Sequence, residues 1–429
     1  MLTVDEALGL ILAALTPLAA EEVDLQAALG RVLREDVYAS ANVPPFANSS
    51  MDGYAVRAVD TTAAQQDTPV SLRVVGNLAA GYRSARSLGV GETMRIMTGA
   101  PLPPGADAVV RFEDSSDAPT LDHRHYRGLD GVGSAPGSDS PPATVQVMVA
   151  VGPGNYTRVA GEDIRLGELV LIAGTRLRPA ELGVLASLGR AHVQVARRPR
   201  VAILATGDEL VAADGVLDAT RGQIYDSNGY SLVAAVQQLG GEPLSLGIAR
   251  DNVADLAAKF DLGIAAGTDL FITAGGVSYG DYDIVKNMLI ERGKMNFWQV
   301  SLRPGKPLVF GRLQGVPLLG LPGNPVSALV SFDVFARPAI LALMGGPPRP
   351  LVSVPATLLE DVQNGGGRRF YCRMVASYDP ASGYTARSSG AQGSGILTSI
   401  SRANAYLVVP EDVSLVTAGS QVNLLLFEQ

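Results

Sequence analysis

The chain has almost none of the residues that cross-link or ligate. It carries one cysteine, Cys372, and three histidines in 429 residues. A single thiol excludes a disulfide framework within the chain and any cysteine-rich metal site, and it suits a reducing cytoplasm. His123 and His125 share one charged stretch, and His192 alternates with Ala191 and Val193 as in a strand, so no histidine metal site is expected. No Ser/His/Asp or Cys/His arrangement is evident, and no Gly-x-x-x-x-Gly-Lys-[Ser/Thr] run occurs. Positive charge is also short. The 34 basic residues against 42 acidic ones leave a net charge of −8, which argues against a nucleic-acid binder working by bulk charge. No uninterrupted apolar run reaches about 18 residues, so no membrane span is expected. The opening Met1-Leu-Thr-Val-Asp-Glu6 is acidic, where a signal peptide would be basic.

What is present is a globular composition, 47% hydrophobic and 18% charged, at a length that calls for roughly two to four domains. Thr3 and Glu6 form a capping box before Leu8, Ile11, Leu12 and Leu15 at helical spacing, and Pro17 ends the pattern. Residues 21–45 suggest a helical and extended connector. Short strand patterns such as Val70–Val75 and Glu92–Met97 imply a small β-rich domain over 46–114, and 130–142 is a flexible loop by composition. Another Gly-punctuated β stretch covers about 144–177. From Pro199 the pattern changes. Strands are expected at Val201–Ala205, Leu244–Ile248, Asp269–Thr273, Phe297–Leu302, Leu308–Phe310 and Val316–Leu319. Helices are expected at Ser231–Leu239, Val253–Phe260, Tyr282–Arg292 and Pro325–Met344. This alternation implies an α/β domain with a mainly parallel sheet. Gly345–Pro350 is a linker, and 351–429 is patterned as a small all-β domain.

Three apolar strands run straight into unusual loops: Thr206-Gly-Asp-Glu-Leu210, Gly275-Gly-Val-Ser-Tyr-Gly-Asp-Tyr-Asp283 and Gly320-Leu-Pro-Gly-Asn-Pro325. Parallel strands would bring all three to one sheet edge, where open α/β sheets bind ligands. In the last loop Asn324 reads as an N-cap with Pro325 at the first helical position, and Gly323 permits close approach. The turn is then either an ordinary strand-to-helix connection or a cradle of free N–H groups for an oxyanion. Gly275, Gly276 and Gly280 allow close backbone approach, and Ser278 adds a hydroxyl. Asp208, Glu209, Asp281 and Asp283 sit in the same loops. Carboxylates beside an anion cradle call for a cation between them, Mg²⁺ being the usual one. Asp208 and Asp283 read equally as helix-start charges, and Asp251 as an N-cap. Arg303-Pro-Gly-Lys306 holds two cations in a rigid turn, as an anion site or as a solvated basic turn. Locally, Asp52-Gly53 and Thr98-Gly99 read as β-turns. The residues alone therefore reach an α/β protein that binds a phosphorylated, Mg²⁺-linked ligand.

Seven motifs in order resemble the molybdopterin molybdenumtransferase family (MoeA and the gephyrin E domain). They are Pro44–Val56, Met97-Thr-Gly-Ala-Pro101 with Gly105–Val109, Ala160-Gly-Glu-Asp-Ile164, Thr206–Leu210, Gly275–Ser278, Pro304-Gly-Lys-Pro307 and Gly320–Ser327, and they span essentially the whole chain. The resemblance implies an elongated cytoplasmic homodimer of four-domain subunits. The domains are a molybdopterin-binding α/β domain (3–20 and 178–345), a β-rich domain (46–143), a discontinuous linking domain (21–45 and 144–177) and a C-terminal β-barrel (346–429). It implies insertion of molybdenum from molybdate into adenylylated molybdopterin, with Mg²⁺-dependent release of AMP. The active site lies between the α/β domain of one subunit and the β-rich domain of the other. Asp52, Thr98, Glu209, Asp251 and Asp283 match positions tied to activity, with Glu209, Asp251 and Asp283 handling Mg²⁺. Pro322 and Pro325 match the turn prolines, flanking Gly323 and Asn324. Arg303, Lys306, Ser327, Arg373 and Ser394 match positions linked to molybdate, a tetrahedral dianion suited to cations and hydroxyls. No nucleic acid or membrane partner is implied. The chain departs from the family in Arg303, where many members have Lys, in Tyr156-Thr-Arg-Val159, and in a longer 115–143 stretch. Two other readings share the fold: a molybdopterin adenylyltransferase, and a gephyrin-like scaffold.

Overall fold

The computed structural model describes residues 1–117, 144–276, 293–346 and 348–427. These form two compact units, one of Met1–Glu35, Ala173–Leu182 and His192–Gln429, the other of Asp36–Ile172 and Gly183–Ala191.

The larger unit is organised by a six-stranded sheet. Its strands are β1 (Arg200–Thr206), β2 (Glu242–Ala249), β3 (Leu270–Ala274), β4 (Gly293–Gln299), β5 (Pro307–Leu313) and β6 (Val316–Leu321). Their order is β2-β1-β3-β6-β5-β4. The first four run parallel, and β5 and β4 add antiparallel, so the sheet is mainly parallel as the alternation implies. β4 lies earlier than the expected Phe297–Leu302. Its register against β5 sets it, with Gly293 opposite Leu313 and Gln299 opposite Pro307.

Central strands of such a sheet are covered on both faces and read as continuous apolar runs. In β1, Val201 and Ile203 join the core on one face, while Ala202 and Leu204 join the core on the other. Helices cover both sides: α1 (Val4–Ala13), α2 (Asn228–Gln238), α3 (Val253–Ala265) and α4 (Pro325–Leu343). α1, α2 and α4 contribute to the first core, and α3 to the second. Phe260 of α3 meets Phe271 of β3 edge-on at 5.2 Å, and each buried ring contributes about 1.5–3 kcal/mol. The capping box on α1 is present: Glu6 N–H donates to Thr3 Oγ1 at 3.2 Å, and Thr3 N–H donates to Glu6 Oε2 at 2.8 Å.

α4 corrects one expectation. It is not uniformly α-helical, because Phe332–Ala336 forms a π-turn between two α segments. Pro338 lies just beyond, has no N–H to give the preceding turn, and a wider turn absorbs that loss. At 19 residues α4 is also long and apolar enough to cross a bilayer, although no unbroken apolar run marks it. Most of it is buried in the first core.

The same unit contains a closed five-stranded barrel. Arg369–Asp379 pairs with Gly383–Ser388 on one side and Ala405–Val409 on the other, and Val352–Leu358 and Gln421–Leu426 complete the ring. The smaller unit holds a five-stranded sheet ordered Ala108–Arg111, Gly53–Val56, Glu92–Ile96, Val70–Leu78, Thr144–Val147. Gly53 is not in a β-turn. It starts a strand so close to its neighbour that a Cβ would stand 2.0 Å from the Val110 carbonyl oxygen. Thr98-Gly99 is a turn, closed by Ala100 N–H to the Met97 carbonyl at 3.0 Å.

Candidate functional site

β1 is followed by α2 and the outer strand β2. The chain then crosses back through α3 to β3 on the other side of β1. The connections therefore diverge between β1 and β3, and the carboxyl ends of these strands open a crevice there. Gly275, at the end of β3, lies against the end of β1. A Cβ on it would stand 2.7 Å from the Thr206 carbonyl oxygen, and its φ is +95°. Only glycine keeps the two ends this close. The crevice widens into a cavity of about 1150 Å³, lined by Thr206–Glu209 except Asp208, by Asp251, Gly275 and Gly276, by Arg303–Pro307, by Pro322–Pro325, by Ser327 and by Gln392–Gly395.

Three carboxylates line this cavity, Glu209, Asp251 and Asp226, and the first two stand on neighbouring loops. Their loops are stitched together. Asp208 N–H donates to Asp251 Oδ2 at 3.3 Å, and Asp251 N–H donates to Asp208 Oδ1 at 3.1 Å. Arg250 brackets Glu209 by donating to the carbonyls of Asp208 at 2.9 Å and Leu210 at 3.3 Å. Neither aspartate caps a helix. Asn252 caps α3, accepting Asp255 N–H at 2.9 Å, and Asp208 precedes the short strand Leu210–Val211. Among the described residues no group of three or more acidic, histidine or cysteine side chains could hold a metal by itself. Two cavity-facing carboxylates do fit Mg²⁺ in its usual mode, with one or two protein oxygens and the rest from substrate phosphates and water. Ser278, Asp281 and Asp283 lie outside the described residues.

The Pro-Gly-Asn-Pro turn opens α4 as its sequence suggests, with Pro325 at the helix start. Two details differ. Asn324 takes the N-cap position, but its side chain makes no capping bond and lines the cavity. The helix start also presents fewer free donors. Pro325 has none, and Val326 N–H donates to the Ser394 carbonyl at 3.1 Å. That bond ties the 392–395 loop of the barrel to α4. The Ser327 N–H then remains, among the described residues, without an acceptor, and its side chain lines the cavity beside it.

The cations divide into two kinds. Arg303 and Lys306 line the cavity. Arg303 stacks its guanidinium over Phe370 at 4.2 Å and donates to Asn364 Oδ1 at 3.3 Å. Arg373 is fully buried and lies outside the cavity lining. Its guanidinium donates to Ser399 Oγ and the Gly393 carbonyl, both at 3.2 Å, so it supports the 392–395 loop from behind. Burial pushes its pKa down, and its Nη1 has no partner. Arg368 lines the cavity instead.

Cavity residues that went unread in the sequence include Asp226, Asn228, Arg368 and Gln392. Asn228 Nδ2 donates to the Gly323 carbonyl at 2.7 Å, holding the turn, while its buried Oδ1 lacks a partner. Asp226 accepts Gly229 N–H at 2.9 Å at the start of α2. The only signal was the run Tyr225-Asp-Ser-Asn228 before an apolar helix, which reads as ordinary capping. Asp52 and Thr98 belong to the smaller unit, where they meet. Asp52 Oδ1 accepts both the Thr98 N–H at 2.7 Å and its hydroxyl at 2.9 Å.

Comparison with known proteins extends over the whole chain. Residues 2–189 match the MoeA N-terminal region (domain I and II), 202–342 a probable molybdopterin binding domain, and 355–427 the MoeA C-terminal region (domain IV). Molybdopterin molybdenumtransferase 2 of Mycobacterium tuberculosis is 39% identical over 408 residues, covering 94% of each chain. The molybdopterin molybdenumtransferase of Haemophilus influenzae is 36% identical over 428 residues, covering 99% of this chain and 98% of its own. A molybdopterin biosynthesis MoeA protein of Pyrococcus horikoshii superimposes with a TM-score of 0.80 at 28% identity, with both chains fully covered.

Proposed function

This chain belongs to the MoeA family of molybdopterin molybdenumtransferases, enzymes of molybdenum cofactor biosynthesis, and from its site we propose the reaction it performs. It takes adenylylated molybdopterin and molybdate, inserts the molybdenum, and releases AMP in a Mg²⁺-dependent step.

One observation carries this reading. A single cavity at the sheet's switch point combines three carboxylates, Glu209, Asp226 and Asp251, with three cations, Arg303, Lys306 and Arg368, and with the start of α4. An uncharged or purely cationic ligand would not need both signs of charge. A phosphoanhydride bound beside a dianion does. Glu209 and Asp251 would hold Mg²⁺, which when bound neutralises charge on the pyrophosphate oxygens. Arg303 and Lys306, with the Ser327 hydroxyl and N–H, suit a tetrahedral dianion such as molybdate. Arg373 acts through the loop that carries Ser394. Among the described residues no activated nucleophile lines the cavity, and the contribution read for the chain is positioning and charge stabilisation.

Asp52 and Thr98 complete the site from a second subunit of a homodimer. The one buried thiol is consistent with a cytoplasmic setting. The four-domain division at 3–20 with 178–345, 21–45 with 144–177, 46–143 and 346–429 is part of the same reading.

The test incubates the purified chain with adenylylated molybdopterin, Mg²⁺ and molybdate, and follows AMP. Release that depends on both molybdate and Mg²⁺, and is lost in Glu209→Ala, is expected. Release without molybdate dependence, or none at all, would sink the proposal.

A further inference from the structure

A smaller cavity shares no lining residue with the one described above. Its volume is about 260 Å³, and it is lined by Arg31, Arg176 and Arg198 together with Gln238 and the ends of α2 and α4. Three separate segments bring the arginines together. Arg31 N–H donates to the Ala28 carbonyl at 3.0 Å, Leu177 N–H to the Arg31 carbonyl at 2.9 Å, and Ala196 N–H to the Val32 carbonyl at 2.8 Å. Val32 and Arg176 are bridged as antiparallel neighbours.

Arg31 is satisfied. It pairs with Glu21 and donates to the Ala196 carbonyl at 2.7 Å. The arginines just along the chain are satisfied too, Arg197 by Asp269 at 2.6 Å and Arg178 by Glu181 at 2.5 Å. Arg176 and Arg198 differ. Both are half-buried, and among the described residues neither guanidinium has a carboxylate or carbonyl partner.

The bland account is that they cap the carbonyl ends of α2 and α4. Backbone amides already do this. Gly240 N–H takes the Gln237 carbonyl at 2.9 Å, and Gly241 N–H takes that of Val236 at 3.1 Å. Gly345 N–H takes the Ala342 carbonyl at 2.9 Å, and Leu18 N–H takes that of Leu343 at 2.8 Å. Charge counting agrees. Three guanidinium groups against one carboxylate leave two positive charges, and two helix C-termini return roughly half a negative charge each. About one positive charge is left over in a partly desolvated cavity of a chain whose net charge is −8.

We propose that this cavity binds a small tetrahedral oxyanion of the phosphate class, gripped by Arg176 and Arg198 beside the Arg31–Glu21 pair. Guanidinium forks match such an anion with paired hydrogen bonds. The volume suits a phosphate with a few waters, and it lies below the range of roughly 300–1,000 Å³ that encloses larger ligands.

Calorimetric titration of the whole chain with inorganic phosphate tests this. Saturable binding is expected, weakened at least ten-fold in the double variant Arg176→Gln/Arg198→Gln and kept in Lys306→Ala, which alters only the larger cavity. Glycerol phosphate is titrated in parallel. Tighter binding of the ester identifies an esterified ligand, and tighter binding of phosphate identifies the free ion. Circular dichroism checks folding. If the glutamine variant does not fold, Arg176→Lys/Arg198→Lys keeps the charge but loses the fork, and a several-fold weaker affinity is expected. Unchanged affinity in a folded double variant, loss in Lys306→Ala instead, or no saturable binding by the native chain overturns the proposal.

Discussion

Thr98 holds Asp52 by two hydrogen bonds to one carboxylate oxygen, and in the proposed reaction it would aim Asp52. Thr98→Val keeps the backbone bond and deletes the hydroxyl one. A hydrogen bond to a charged group is worth about 1.5–3 kcal/mol, and both residues are exposed, so the low end applies. The expected result is a kcat/KM for AMP release lowered roughly ten-fold, with Thr98→Ser close to the native value. Equal activity in the valine variant would remove the positioning role. Cys372 shows the opposite situation. Burial pushes its thiol up to about 12, so it is a packing residue of the barrel core. At this scale the sequence was a mixed guide. Glu209 was legible because acids at strand ends are conspicuous, whereas Asp251 read locally as an N-cap and only the resemblance tied it to the site; both line the cavity. Asn324 takes the N-cap position as read but makes no side-chain capping bond, because that bond depends on side-chain torsions that a dipeptide pattern does not encode. Arg373, matched in the sequence to a molybdate-linked position, is buried outside the cavity lining, which no local pattern records.

The pairing of α3 with β3 depends on one absent methyl group. Gly263 lies in α3, and a Cβ there would stand 2.5 Å from Phe271 Cε1 and 3.3 Å from Leu246 Cδ1. Alanine would gain about 1 kcal/mol of helix propensity, while overpacking a filled core costs about 1–3 kcal/mol. Gly263→Ala is therefore expected to destabilise the unit by about 1 kcal/mol, read as a lower midpoint in denaturant unfolding. A raised midpoint would mean that the Phe271 ring yields freely. Most elements of the α/β sheet were visible in the chain, because buried parallel strands and amphipathic helices have distinct periods. Their ends were less visible. β4 is set by cross-strand register and the π-turn of α4 by Pro338, neither of which hydrophobic periodicity records.

Over the whole molecule, the residues assigned to one reaction fall in two compact units: Glu209, Asp251, Arg303 and Lys306 in one, Asp52 and Thr98 in the other. If a site is completed across a dimer, Asp52→Ala and Glu209→Ala damage different halves of it. Mixing the two inactive proteins under conditions of subunit exchange should restore up to about a quarter of native activity per total site, the share carrying neither lesion on random exchange, with each variant alone inactive. No recovery, with exchange verified by a labelled subunit, would place both residues in the same subunit's site.

The sequence by itself determined the fold class, the three loops at the strand ends and the carboxylates and cations proposed for the chemistry. These are local matters of apolar period, glycine placement and charge. Only the tertiary structure decided which groups face the cavity and which stand behind it. It spent the Val326 N–H on Ser394, buried Arg373 behind its loop, brought Asp226, Asn228, Arg368 and Gln392 to the wall, and left Arg176 and Arg198 unmatched in a second cavity. Each outcome depends on partners distant in the chain, and hydrogen-bond satisfaction and burial are properties of those pairings, not of any single segment.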